Sequence, residues 1–255
     1  MSFLPRGVDF HCHLDLYPDF EAVVAECEAQ RIATLAVTTT PLAFPRNLEL
    51  TKALRYVRAA LGLHPQLVAE RAGELEILKK YLPLTRYVGE IGLDAGPKHF
   101  RSLDLQREVF TEILKLCAVA GDKVLSVHTT RAAKHALELI EVNLPSGRGK
   151  PILHWFTGTL REANWALELG CYFSINAEMM RNPTHRKTIE CLPASRLLTE
   201  TDGPFVVRDG KPIRPTDVIS TSDDLAAIRG VSSSDMLSQL RDNVRTLVSG
   251  SGPSL

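Results

Sequence analysis

Short apolar runs alternate with amphipathic helical patterns along almost the whole chain, and this alternation restricts the possible folds more than any other feature. The first run is GVDFHCH and the last is RLLTETDGP; between them lie IATLAVTTT, RAALGLHP, RYVGEIGLD, KVLSVHT, PILHWFT and CYFSINAE. These runs are rich in valine, isoleucine and leucine, which is typical of parallel strands that are buried on both faces. Eight such strand–helix units predict an α/β fold, a closed TIM (β/α)8 barrel.

An open doubly wound sheet is the competing architecture for alternating strands and helices. It is disfavoured because no glycine-rich phosphate-binding motif follows the first predicted strand. The sequence has no fixed-period repeat, no low-complexity segment and no shift in composition that would indicate a linker. We therefore predict one domain over residues 1–255.

Charge and cysteine content limit the environment and the partners. Thirty basic and thirty acidic residues cancel, so binding to a polyanion must depend on a local patch or on metal. Five scattered cysteines without a C-x-x-C pair indicate reduced thiols, mostly packed as small hydrophobes. No signal peptide or membrane-spanning run is visible at the N-terminus or beyond, so we expect a soluble, cytoplasmic protein.

Histidines and acidic residues stand where the predicted strands end, which is where barrel enzymes place their chemistry. These residues are His11, His13, His64, Glu90, His128, His154, Glu200 and Asp202. Any one of them is more often a hydrogen-bonded core residue than a ligand. Core packing does not explain why five histidines and three acids would meet at one barrel mouth, however. Together they predict a metal site.

The pattern of ligands favours two divalent metal ions. His11 and His13 are two residues apart on a strand, so both rings face the same side. Mixed histidine and carboxylate ligation suits Zn, Mg, Mn or Fe, and two ions roughly 3.5–4 Å apart can bind the attacking and leaving oxygens of one displacement. Glu90 is the expected bridge. A metal-bound water has its pKa lowered to about 7, and Asp202 is the expected acceptor of its proton.

Several neighbours of the candidate ligands have simpler interpretations. Trp155 and Phe156 follow His154 directly, and core packing is favoured over base stacking for both. Cys12 points away from the two histidines, whereas Asp9 points inwards and supports them. Arginines are solvated by default, although those on rim loops are candidate phosphate contacts.

Six motifs occur in the order and spacing of the TatD-type metal-dependent deoxyribonucleases, and the chain resembles that family from about residue 8 to RDNVRTLV. They are DFHCHLD, GLHP, GEIGLD, QREVF, HWFTGT and LLTETDGP. The resemblance implies a metallo-dependent hydrolase-like TIM barrel with deoxyribonuclease and 3′-exonuclease activities. The implied substrate is DNA. The zero net charge, which predicts modest affinity for long DNA, favours short single strands or ends. The opening VDFHCHLDLYPDF also resembles a subgroup found in a bacterial anti-phage defence system, which implies protein partners.

The resemblance also implies roles for individual residues. One metal would be held by His11, His13, Glu90 and Asp202, and the second by Glu90, His128 and His154. His64 and Glu200 match positions that touch substrate phosphate or an additional metal. Two departures concern the substrate cleft: HTTRAA shifts the arginine of strand five by one, to Arg131, and GLDAGPKHF lacks the two aromatics that relatives often carry after GLD.

Two other function classes stay open. An amidohydrolase acting on a small cyclic amide or ester is disfavoured because strand four offers Glu90 and no lysine for carbamylation. The second is a partner-dependent subunit of a defence complex in which the metal site is structural or inactive. The complete ligand set argues against an inactive site. The sequence leaves open the native metal, endonuclease or exonuclease action, RNA tolerance and oligomeric state.

Overall fold

A computed structural model describes residues 4–249 of the chain. Eight strands form the parallel sheets: β1 (Gly7–Cys12), β2 (Ile32–Val37), β3 (Val57–Ala60), β4 (Tyr87–Gly92), β5 (Lys123–His128), β6 (Gly149–His154), β7 (Tyr172–Ile175) and β8 (Leu197–Thr199). A short hairpin, β9 (Val207–Arg208) and β10 (Lys211–Pro212), follows β8.

Helices fill the connections between these strands. They are α1 (Phe20–Gln30), α2 (Phe44–Thr51), α3 (Val68–Arg71), α4 (Leu75–Tyr81), α5 (Leu103–Ala120), α6 (Ala133–Asn143), α7 (Leu160–Glu168), α8 (Ala177–Arg181), α9 (Pro183–Cys191), α10 (Val218–Arg229) and α11 (Ser233–Val248). Helix α8 was not expected from the sequence. It begins directly after β7, where the Asn176 side chain accepts a hydrogen bond from the Met179 amide and caps it.

The strands pair in sequence order and in parallel, as β1–β2–β3 and as β4 through β8. Hydrogen bonds at two seams join these sheets. At the first seam the Leu61 amide donates to Tyr87 O over 3.0 Å and the Gly89 amide donates to Leu61 O over 2.9 Å. At the second seam the Asp202 amide donates to His11 O over 3.0 Å. The predicted α/β barrel is therefore confirmed.

One large cluster of buried hydrophobic side chains receives residues from all eight barrel strands. A smaller cluster lies under α1 and includes Cys12, Phe20 and Cys27. Four of the five cysteines are buried and all five are free thiols, as the sequence predicted. Among the helices of residues 4–249, none is both long and apolar enough to cross a membrane.

Candidate metal centre

The strand ends bring all eight predicted site residues into one buried region. His11 lies in β1 and His13 directly after it, Glu90 lies in β4, and His128 and His154 are the last residues of β5 and β6. His64 lies in the loop after β3, and Glu200 and Asp202 lie directly after β8. None of the eight is more than 9% exposed: His11, His13, His64, Glu90, His128, His154, Glu200 and Asp202.

Glu90 lies at the centre, and its two carboxylate oxygens face different groups of histidines. Oε2 is 3.1 Å from His13 Nε2 and 3.4 Å from His11 Nε2. Oε1 is 2.6 Å from His128 Nδ1, 3.2 Å from His64 Nε2 and 3.3 Å from His154 Nε2. One carboxylate between two sets of nitrogen ligands is the arrangement that a bridging ligand requires.

The first group consists of His11, His13 and Asp202. Asp202 Oδ1 lies 3.5 Å from His11 Nε2 and 3.6 Å from His13 Nε2, and the two ring nitrogens are 3.3 Å apart. The other nitrogen of His11, Nδ1, is 2.7 Å from the Ser126 hydroxyl. Such a partner on the far nitrogen fixes the orientation of a ligating ring.

The second group consists of His64, Glu90 and His128. His128 uses both ring nitrogens: Nδ1 faces Glu90, and Nε2 lies 3.1 Å from Asp94 Oδ2. Gln66 Nε2 donates to the same Asp94 oxygen over 2.7 Å. Asp94 therefore orders one wall of the site.

His64 differs from the other rings in how its second nitrogen is used. The Gln66 backbone amide donates to His64 Nδ1 over 3.1 Å, so Nδ1 acts as the acceptor. In a neutral imidazole the proton is then on Nε2, which faces Glu90. Burial lowers the pKa of His64 below its ordinary value, although Glu90 partly opposes this shift.

Glu200 lies behind His154 and is fully buried. Its carboxylate faces His154 Nδ1 at 3.2 Å and accepts hydrogen bonds from the Asn176 amide group, the Trp155 backbone amide and the Ser174 hydroxyl. His154 Nε2 on the opposite edge points to Glu90. Glu200, His11 and His154 also place ligand-type atoms close enough to form a third candidate group.

The pKa values of the two buried acids Glu90 and Asp202 are shifted from their ordinary values. Burial alone would raise the pKa of Glu90, but the surrounding histidines hold it well below its ordinary value. Burial raises the pKa of Asp202 to about 7. Within residues 4–249, neither carboxylate pairs with a lysine or arginine. Buried carboxylates that face only histidines fit divalent cations, because a cation compensates both their charge and their desolvation.

Asp202, with φ 52°, and Trp155, the neighbour of His154, with φ 42°, have left-handed backbone conformations. Such a conformation costs a residue other than glycine about 1–2 kcal/mol. Asp9 holds the segment before Asp202, since its carboxylate accepts hydrogen bonds from the Thr201 amide and hydroxyl over 2.8 and 2.7 Å. Asp9 is fully buried, but its carboxylate contacts Thr201 and not the rings of His11 and His13, so the predicted support of these two rings is not observed.

A cleft of about 360 Å³ opens above the cluster. Its lining consists of His13, His64, Gln66, Glu90, His128, Thr130, His154, Trp155, Thr157, Asp202 and Phe205. Arg131 does not line this cleft. It lies exposed in an adjoining groove, and Thr157 lines both the cleft and the groove.

The residues of this region that sequence reasoning missed include Asp94, Ser126 and Phe205. Asp94 belongs to the GEIGLD motif, two residues beyond β4, so its position after a strand could have indicated it. Ser126 is one of several small residues in apolar strands, and nothing in the sequence distinguishes it. Phe205 follows the ETDGP motif and is exposed beside His13, a position that its sequence context does not indicate.

Comparison with known proteins gives a family match over most of the chain. The family described as "TatD related DNase" matches residues 8–249. The "Uncharacterized metal-dependent hydrolase YjjV" of Escherichia coli (strain K12) is 30% identical over 260 residues, covering 95% of this chain and 97% of that protein. The "Deoxyribonuclease TATDN3" of Homo sapiens is 25% identical over 262 residues, covering 94% and 93%.

Solved structures show the same similarity. The crystal structure of YjjV, a TatD homolog from Escherichia coli K12, matches with a TM-score of 0.85 and 28% identity, covering 96% of this chain and 98% of that one. An uncharacterized amidohydrolase from Saccharomyces cerevisiae matches with a TM-score of 0.79 at 15% identity, over 96% of this chain and 99% of that one, and this likeness concerns the fold alone. Because the family match extends over residues 8–249, the chain belongs to the TatD-related DNase family.

Proposed function

We propose that this protein is a divalent-metal-dependent deoxyribonuclease that hydrolyses phosphodiester bonds of DNA. The position of Glu90 carries the proposal, because its two oxygens face separate groups of histidines at the mouth of the barrel. Divalent cations held by these ligands would supply Lewis-acid stabilisation to a phosphoryl displacement. Family membership and the name of TATDN3 support DNA as the substrate.

The metal ligands would divide along the two oxygens of Glu90. His11, His13 and Asp202 would hold one ion with Glu90, and His128 and His154 would hold the other. Glu90, as the shared ligand, would fix the separation of the two ions. Asp94 and Glu200 are placed to orient His128 and His154 from behind, because each faces the ring nitrogen that Glu90 does not.

Asp202 would accept the proton released from the attacking water. A general base must lie within hydrogen-bond reach of the proton it takes, and Asp202 lines the cleft beside Glu90. His64 would contribute a different function. Since its Nδ1 already accepts a hydrogen bond, its Nε2–H would donate to Glu90 or to a phosphate oxygen rather than ligate a metal.

Finer features of the activity are also part of the proposal. We infer 3′-exonuclease action on single strands or ends, with Arg131 contacting phosphate in the groove that adjoins the cleft. Glu200 would then support His154 instead of touching substrate, since it is fully buried. Partner proteins of an anti-phage defence system stay a prediction, which co-purification would test.

The test combines metal analysis with a nuclease assay. Protein loaded with Zn²⁺, Mn²⁺ or Mg²⁺ is incubated with single-stranded DNA labelled at the 5′ end or at the 3′ end, and elemental analysis counts the metal bound per chain. We expect two ions in the wild type, fewer in Glu90→Gln, and loss of hydrolysis in both Glu90→Gln and Asp202→Asn. Asp224→Asn, an exposed change on α10, is the matched control.

Equal degradation by the wild type and Asp202→Asn would overturn the proposal. A parallel panel of lactones and cyclic amides separates the alternative chemistry. Turnover of that panel together with inert DNA would assign the site to an amidohydrolase. The order in which labelled fragments appear distinguishes exonuclease from endonuclease cleavage.

A further inference from the structure

The mouth of the metal cleft carries two aromatic side chains, Trp155 and Phe205, that the proposed hydrolysis does not use. Trp155 follows β6 directly, and Phe205 lies in the loop after β8. Both line the same cleft as Glu90 and Asp202. Any nucleotide whose phosphate reaches Glu90 therefore passes beside these rings.

Phe205 is exposed without a packing reason. Its side chain is 59% exposed, although it belongs to a loop whose preceding residues are anchored by hydrogen bonds to β1 and its following loop. Its ring contacts His13 edge to face, with centroids 5.1 Å apart and planes at 81°. Phe205 lines the same cleft as Trp155, so the rim offers two aromatic rings on which a planar ligand can stack.

Trp155 is held in place through its backbone. Its amide donates to Glu200 over 3.1 Å, and its left-handed φ of 42° turns the chain away from β6. The ring is half-buried and lies 6.4 Å from His154, at 86°. The sequence prediction of core packing holds for Phe156, which is 2% exposed against Phe173, but only in part for Trp155.

The charge of the cleft indicates what these rings could bind. No lysine or arginine belongs to the lining that the structure describes, and the whole chain has no net charge. Electrostatic attraction to the phosphate backbone is therefore weak here beyond what bound metal supplies. Stacking of bases on aromatic rings provides affinity that does not depend on charge or on sequence.

We propose that Trp155 and Phe205 form a nucleobase-binding site, on which an unpaired base next to the scissile phosphate stacks. The proposal rests on the proposed nuclease function and deepens it. A base must leave its duplex stack before it can reach these rings, so the site selects single strands and frayed ends over paired DNA. The ligand is a nucleobase of any kind, since each base has a π face.

Tryptophan fluorescence tests the proposal without relying on hydrolysis. The chain has two tryptophans, and Trp165 on α7 donates to Glu141 away from the cleft lining. Trp165→Phe therefore leaves Trp155 as the single emitter. In the Asp202→Asn background, with and without Zn²⁺, this protein is titrated with a thymidine pentanucleotide and with an abasic sugar–phosphate strand of equal length.

We expect quenching of Trp155 by the pentanucleotide and not by the abasic strand. Removing either ring, as Trp155→Leu or Phe205→Leu, should weaken pentanucleotide binding about fivefold or more while leaving abasic-strand binding unchanged. Because Trp155→Leu removes the emitter, these affinities are measured by the fluorescence anisotropy of dye-labelled strands. Equal responses to the two strands, or no response to either strand with and without Zn²⁺, would overturn the proposal.

Kinetics on the metal-loaded wild-type background separate this inference from the nuclease function. In Trp155→Leu and Phe205→Leu we expect KM for single-stranded DNA to rise about fivefold or more with kcat retained. Active variants with unchanged KM would remove the base site and leave the nuclease intact. Base-dependent quenching in a protein that hydrolyses no DNA would keep the base site and remove the nuclease function.

Discussion

Asp94 fixes the ring of His128 from the side opposite Glu90. Its Oδ2 lies 3.1 Å from His128 Nε2, while His128 Nδ1 lies 2.6 Å from Glu90 Oε1. Asp94 is itself held, because its other oxygen accepts from the Gly96 amide over 2.7 Å and its backbone amide donates to Gln106 over 2.7 Å. The ring of His128 can therefore present only Nδ1 to a metal.

Replacing the Asp94 carboxylate should weaken metal binding at the second site. Asp94→Asn preserves the shape of the side chain but removes the negative charge that faces His128. We expect metal affinity to fall by about 10–100-fold, measured by competition with a chromogenic chelator. Asp224→Asn on α10 should leave the affinity unchanged, and equal affinities in both variants would contradict the role of Asp94.

Metal binding should strengthen as pH rises, up to about pH 9. Burial lowers the pKa of His128, but hydrogen bonds to Asp94 and Glu90 outweigh this and raise it to about 9. Below that pH the metal must displace a proton, so affinity should gain up to about tenfold per pH unit for each proton displaced. Calorimetry with Mn²⁺ in buffers of different ionisation enthalpy would count the protons.

The same titration predicts the stability of the metal-free protein. Because the folded-state pKa of His128 exceeds the ordinary 6.5, its contribution is present below pH 6.5 and is lost as pH rises through about 9. The melting temperature without metal should therefore fall across this window, and His135→Gln on α6 should fall in parallel. A flat profile, with no protons released on Mn²⁺ binding, would show that His128 is neutral in the folded protein.

Glu200 should act through His154. Glu200→Gln replaces the carboxylate that faces His154 Nδ1 and accepts hydrogen bonds from three further donors. We expect a loss of about 10–100-fold in metal affinity. Glu108→Gln, exposed on α5, is the control. Unchanged metal affinity accompanied by a raised KM for DNA would instead place Glu200 in contact with substrate.

Gly62 is required by the approach of two backbones. A Cβ there would lie 2.0 Å from Thr38 O and 2.3 Å from the Glu90 amide nitrogen. Gly62→Ala should therefore destabilise the protein by about 1–3 kcal/mol or more, and by displacing Glu90 it should also weaken metal binding. At Gly73 an added Cβ meets nothing within 4 Å, so Gly73→Ala should melt near the wild-type temperature. Equal melting of the two variants would contradict this assignment.

The chain should unfold as one cooperative unit, as the single-domain prediction requires. One hydrophobic cluster joins all eight barrel strands, so no strand can separate without exposing it. Calorimetry should give one transition, which moves upward with metal because a ligand of the folded state adds about 2.7 kcal/mol at a hundred times its Kd. Two transitions, or one that ignores Zn²⁺ in the wild type, would contradict the prediction.

The fold and the residues of the cluster could be predicted because both leave periodic signals. Strand–helix alternation indicates the barrel, and barrel geometry collects residues at strand ends, so His128 and His154 could be placed together before any distance was known. The same rule does not show which of these side chains ligate a metal and which donate hydrogen bonds. Whether His64 ligates or donates depends on one amide, that of Gln66, whose position a sequence does not reveal.

The supporting residues could not be predicted for a related reason. Ser126 and Asp94 act across strands, and their roles depend on register and on rotamers rather than on residue type. Sequence reasoning favours core packing over base stacking for Trp155. Its left-handed backbone, which sequence periodicity cannot show, leaves part of the ring in the cleft instead.

Ligands of the metal centre lie next to both seams between the two parallel sheets. Glu90 lies in β4 next to the seam with β3, and its amide donates to Thr38 O, just after β2, over 3.1 Å; Asp202 lies at the seam between β8 and β1. Neither sheet alone holds a complete ligand set, since His11 and His13 come from one and Glu90 and His128 from the other. A folding intermediate in which only one sheet has formed would lack a complete ligand set. Metal binding during folding therefore indicates that the barrel has closed.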